Sequence, residues 1–133
     1  MIMIYSKTKN LIILSLIALT SLALSGCSQA ANIDDALSSA KKEGKVVMLE
    51  LGSVGCIPCE QMKPVMGKLR MNYKEKLEII FVDVRKDKEN GRRFNVTMIP
   101  TQVFLDKNGK EFHRHMGFYG YEEIVPVLKK AGL

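Results

Sequence analysis

The chain has no tryptophan, only two histidines and only three cysteines among its 133 residues. So few metal ligands leave room for at most one site of the Cys₂His₂ kind, built on His113 and His115 with a cysteine pair. No internal repeat or low-complexity tract is present. The longest apolar run, Leu11 to Leu24, is about 14 residues, short of the ~20 that cross a bilayer as a helix. Lys and Arg outnumber Asp and Glu by 20 to 14, but they are scattered, as at Lys41, Lys68, Arg92 and Lys129. No basic tract is interleaved with aromatics, so nothing points to a nucleic-acid surface.

The N-terminus has a short basic start (Lys7, Lys9), then the apolar run, then small residues. That is the layout of a cleaved secretory signal rather than of a retained span. It ends in Leu24-Ser25-Gly26-Cys27, four residues that resemble the lipobox of bacterial lipoproteins. The resemblance implies a signal peptide over 1–26, with Cys27 thioether-linked to diacylglycerol as the first mature residue. A short tether over 27–31 then leads into one domain over 32–133. The plainer alternative is an ordinary signal that ends near a cysteine. Cleavage removes Lys7 and Lys9, which lowers the net charge from +6 to about +4.

Asn32 or Asp34 can cap a helix that runs to Glu43 and stops at Gly44. Lys45 to Leu51 is an apolar run of strand length, consistent with a buried central strand. From Cys59, apolar residues recur at helical spacing (Met62, Val65, Met66, Leu69, Tyr73), and Pro64 should kink that helix. Leu77 to Val84 reads as a second buried strand and Asp87 to Phe94 as a short helix. Gln102–Leu105 and Glu111–Met116 flank Asp106-Lys107-Asn108-Gly109, a hairpin signature. Tyr121 to Lys130 is a last helix, with Pro126 placed awkwardly inside it. The methionines (Met48, Met62, Met66, Met71, Met98, Met116) read as core filler rather than copper ligands, Met98 excepted. The order α-β-α-β-α-β-β-α predicts an α/β fold, a four-stranded mixed sheet with helices on both faces.

Between the first strand and the second helix lies Cys56-Ile57-Pro58-Cys59. A CxxC in that setting reads as a redox dithiol. Its first cysteine sits where unpaired N–H groups and the helix dipole favour a thiolate, and its second lies further in. Pro58 stiffens the turn. A structural disulfide closing so small a loop would stabilise little. Glu50 falls among Val47, Met48, Leu49 and Leu51, where burial would raise its pKa; the alternative is a salt-bridged surface acid.

Over nearly the whole mature length the chain resembles the thioredoxin family. The resemblance rests on Cys56-Ile57-Pro58-Cys59, Pro64 five positions on, Ile99-Pro100-Thr101, Glu50 six residues before Cys56, Phe94-Asn95-Val96 and Gly117. It implies a thioredoxin fold that lacks the family's first strand. It also implies that Cys56 is the exposed nucleophile and Cys59 the resolving thiol, that Pro100 is cis, and that Glu50 carries a proton to or from Cys59. Ile57, Pro58, Met98 and Ile99 would meet the substrate segment. The dithiol is its own redox centre, so no cofactor is implied. Gly55 stands where the family has Trp and Ile57 where it usually has Gly, changes that bear on potential and partner choice.

These readings converge on a monomeric thiol–disulfide oxidoreductase, lipid-anchored through Cys27 on the extracytoplasmic face of a bacterial membrane. It would reduce disulfides in envelope proteins or apocytochrome c, drawing electrons from a membrane thiol donor. The closest resemblance is to small envelope thioredoxins linked to cytochrome c biogenesis. Two alternatives stay open: the same dithiol working as an oxidase or isomerase, and a non-enzymatic zinc- or copper-binding lipoprotein using His113 and His115.

Overall fold

A computed structural model describes residues 32–133. Signal, Cys27 and tether lie outside the described residues. The order is α1 (Ile33–Lys42), β1 (Val46–Gly52), α2 (Ile57–Tyr73), β2 (Leu77–Asp83), α3 (Lys88–Arg93), β3 (Thr101–Leu105), β4 (Glu111–Met116) and α4 (Tyr121–Lys130). The eight elements follow the order that the residue pattern predicts, and among the described residues no strand precedes α1.

The sheet order is β2-β1-β3-β4. β1 and β2 are parallel, which requires a crossover, and α2 supplies it. β3 pairs antiparallel with both β1 and β4. All seven residues of β1 are buried, as expected of a strand with neighbours on both sides and helices above and below.

Because strand side chains alternate, β1 feeds two cores. Val46 and Met48 join Phe104, Met62, Met66 and Leu69 of α2 and Ile124 and Leu128 of α4. Val47, Leu49 and Leu51 join Val103, Leu105 and Val82, with Ile33 and Ala40 of α1 on the opposite face. Truncating a residue such as fully buried Leu49 costs about 2–5 kcal/mol.

Local chemistry explains the boundaries. Asn32 caps α1 by accepting from Asp34 N at 3.3 Å, and Gly44 turns the chain at φ +66°. α2 begins at Ile57, earlier than its apolar periodicity predicts, because Pro58 suits a first helical turn. The helix also continues through Pro64, and α4 through Pro126. Two of the methionines assigned to the core are not there: Met71 is 78 % exposed and Met116 53 %. Met71 lies off the stripe formed by Met62, Met66 and Leu69, and Met116 ends an edge strand.

Candidate functional site: a dithiol at the carboxyl end of the central strand

β1 ends at Gly52, and the chain turns through Ser53, Val54 and Gly55 into α2. Gly55 has φ +78°, and the Asp83 carboxylate accepts the Val54 N–H at 3.3 Å, tying the turn to the end of β2. Cys56 is the N-cap of α2, and its carbonyl accepts Glu60 N at 2.9 Å. Cys56 and Cys59 form a disulfide with Cα atoms 5.2 Å apart. Cys56 is 9 % exposed and Cys59 4 %. Neither sulfur is openly displayed, and Cys56 is the less covered. The apolar surface around them is open: Val54 is 63 % exposed, Ile57 75 % and Met98 56 %, while Pro58 is half-buried.

Gly52 brings the strand against the pair. A Cβ built there would lie 3.2 Å from Cys59 Sγ and 3.3 Å from the Phe81 ring, closer than ordinary packing. Two residues back on the same face is Glu50, wholly buried. Burial pushes its carboxyl up to about 7. The Gln102 amide works the other way, close enough to act without completing a hydrogen bond, for neither Glu50 oxygen has a partner among the described residues.

The loop before β3 arrives at the same end of the sheet. Thr101 pairs with Leu51, and the Ile99–Pro100 bond just before it is cis. Thr101 Oγ1 donates to Met98 O at 2.7 Å, and Gly117 N donates to Pro100 O at 2.7 Å. Pro100 is buried and Ile99 half-buried, with Met98 projecting. The structure thus gathers Glu50, Cys56, Ile57, Pro58, Cys59, Met98, Ile99 and Pro100 at one pole. Cys27 lies outside the described residues.

His113 and His115 do share a face of β4, but they are half-buried rather than solvent-exposed. His113 Nε2 lies 3.2 Å from Tyr119 Oη, and His115 Nε2 donates to Phe118 O at 3.1 Å. The His115 ring stacks on Tyr119 with centroids 3.9 Å apart. Burial first, then His115 and Lys130, holds His113 below its ordinary pKa. Tyr119 belongs to the core and Phe118 is 47 % exposed. No group of three or more His, Cys, Asp or Glu that could hold a metal occurs among the described residues.

Sequence reasoning missed Gln102, Gly52 and Phe81. Gln102 carried one signal: a polar side chain in an otherwise apolar strand, on the stripe shared with Phe104.

The family model described as a thioredoxin-like domain matches residues 33–132. A thioredoxin of Staphylococcus aureus is 29 % identical over 98 residues, covering 74 % of this chain and 93 % of that protein. Thioredoxin-2 of a malaria parasite superposes with a TM-score of 0.62 at 26 % identity, over 65 % of this chain and 82 % of that one. Fasciola hepatica thioredoxin, at 24 % identity and TM-score 0.66 over 76 % and 95 % of the two chains, shares the fold. With its Cys56–Cys59 pair set in that fold, this chain belongs to the thioredoxin-like domain family and is a thiol–disulfide oxidoreductase.

Proposed function

We propose that the protein is an extracytoplasmic disulfide reductase in which Cys56 attacks and Cys59 resolves. The observation that carries this reading is the asymmetry of the pair. Cys56 caps α2 and is the less covered, beside exposed Val54 and Ile57, whereas Cys59 is tucked against Gly52. In the reduced protein the free N–H groups of the first turn and the helix dipole favour a Cys56 thiolate.

That thiolate attacks a substrate disulfide. A Cys56–substrate S–S bond forms as the substrate's own bond breaks, and the first substrate sulfur leaves as thiolate and takes a proton. Cys59, deprotonated, then attacks Cys56 Sγ, releasing the second substrate sulfur and closing the internal disulfide. Two electrons have passed to the substrate. Glu50 accepts the Cys59 proton: it lies on the strand face that packs on Cys59, with a pKa suited to exchange near neutrality. Ile57, Pro58, Met98 and Ile99, with Pro100 behind them, meet the substrate backbone and its apolar side chains.

The setting is read from the N-terminal residues. Lys7, Lys9, the apolar run and Leu24-Ser25-Gly26-Cys27 support export and lipidation at Cys27. Only Ser28 to Ala31 separate that cysteine from the cap of α1, a reach of at most ~14 Å. A monomer held so close to a membrane suits an integral membrane thiol donor, as in cytochrome c biogenesis, with apocytochrome c or other envelope proteins as substrates.

Trapping tests the chemistry. Cys59→Ser accumulates mixed disulfides with its partners, Cys56→Ser does not, and normal turnover by Cys59→Ser overturns the assignment. A reduction potential below about −230 mV fits a reductase; one near about −120 mV assigns the dithiol to oxidation. Labelled palmitate should enter the wild type and not Cys27→Ala.

A further inference from the structure

An open groove of about 890 Å³ lies between α3 and the segment leading to Pro100. Val84 and Val96 are apolar lining, Met98 and Ile99 stand at the end nearest the dithiol, and Lys88 and Arg92 of α3 add positive charge. The groove reaches the redox end of the sheet through Met98 and Ile99, which line it and lead directly into cis Pro100 and into Thr101, the partner of Leu51. Gly91 lets α3 sit tightly on that lining, since a Cβ there would lie 3.3 Å from Val84 Cβ.

The charge along this groove is uncompensated. Lys88 and Arg92 are exposed and form no ion pair among the described residues, and the same holds for neighbouring Arg85 and Lys86. The acids nearby are committed elsewhere. Asp87 accepts Asn90 N at 2.9 Å as the cap of α3, Asp83 accepts the backbone of Val54 and Arg85, and Asp34 pairs with Arg93 at 2.7 Å. Glu89 is unpaired but does not line the groove.

We propose that Lys88 and Arg92 set substrate specificity. The groove takes the extended segment beside a target cysteine, seating an apolar side chain against Val84 and Val96 and facing Asp or Glu residues with the two cations. This rests on the disulfide-exchange reading and names the substrates it prefers: proteins whose reactive cysteine is flanked by acidic sequence. The exchange step is unchanged, and the groove acts on encounter and register through charge complementarity.

The test is single-turnover reduction by pre-reduced protein of two peptides. Each carries one cysteine in disulfide linkage to 2-nitro-5-thiobenzoate, and they differ only in a Glu-Glu or Lys-Lys pair beside an apolar residue. The wild type should favour the Glu peptide about five- to tenfold in second-order rate, and the preference should shrink at ~0.5 M salt. Lys88→Glu/Arg92→Glu should invert the order and Lys88→Gln/Arg92→Gln should level it. Lys129→Glu/Lys130→Glu, the same change in net charge on α4, should leave it intact. Equal wild-type rates, or equal loss of preference in the α4 variant, overturn the proposal. Hydroxyethyl disulfide, neutral and too small for the groove, separates the two ideas. Its reduction should be the same in all four proteins, and its failure in the wild type would sink the exchange reading itself.

Discussion

Glu50 and Gln102 face each other across the β1–β3 ladder, both wholly buried. Both Glu50 oxygens and Gln102 Oε1 lack a hydrogen-bond partner among the described residues. An unpaired buried carboxylate costs several kcal/mol, so burial favours the protonated form of Glu50. Gln102 is fixed at its other end, where Nε2 donates to Gly117 O at 3.2 Å. Burial raises the Glu50 pKa and the Gln102 amide opposes it, so the position of this acid near neutrality reflects both.

The first prediction follows from the raised pKa of Glu50. Its folded value of about 7 lies above the ordinary 4.5, so the folded state holds the proton more tightly than the unfolded chain. The stability this contributes is complete below the unfolded value and is lost as pH rises through about 7. The loss amounts to at most ~3 kcal/mol at ~1.36 kcal/mol per pH unit. Glu50→Gln should abolish that slope in urea melts between pH 5 and 8, and should slow disulfide exchange near neutrality. An unchanged slope would assign the titration to another group.

Gln102→Leu should move the Glu50 pKa further up, because the amide is the influence that lowers it. The ¹³C chemical shift of the Glu50 carboxyl, followed through a pH titration, reads this directly. A merely structural role for Gln102 would lower the melting temperature and leave the titration where it was.

Gly52→Ala places a methyl group 3.2 Å from Cys59 Sγ and 3.3 Å from the Phe81 ring. Crowding of that kind costs about 1–3 kcal/mol. It also falls on the resolving sulfur, so mixed disulfides should persist longer than in the wild type. Rapid acid quench followed by mass analysis would show whether they do.

Zinc or copper should not be retained stoichiometrically after dialysis, since His113 and His115 spend Nε2 on Tyr119 Oη and Phe118 O. One bound equivalent that disappears in His113→Ala/His115→Ala would revive the metal-binding alternative.

What could be read from the residues is what repeats or caps. α4 falls on the predicted Tyr121–Lys130 and β4 on Glu111–Met116, since apolar spacing and the Asn108-Gly109 turn mark them. Glu50 declared itself as an acid inside an apolar strand. Its partner did not, because Gln102 meets it only through strand register, a relation between residues about 50 apart that no local pattern encodes. The start of α2 was blurred because Ile57 and Pro58 join the helix before its apolar stripe begins. Lys88 and Arg92 looked like scattered surface charge until the fold set them beside Val84.

The turn between β3 and β4 lies at the other pole. Asp106 Oδ1 accepts the backbone N–H groups of Asn108 and Lys110 at 2.8 and 2.9 Å, and Lys107 to Lys110 are exposed. β3 separates this turn from Thr101 by its full length, roughly 17 Å at ~3.4 Å per residue. It is a natural handle: a fluorophore, affinity tag or surface linker grafted at Lys107 would report on the protein, or immobilise it, with the redox pole left pointing away.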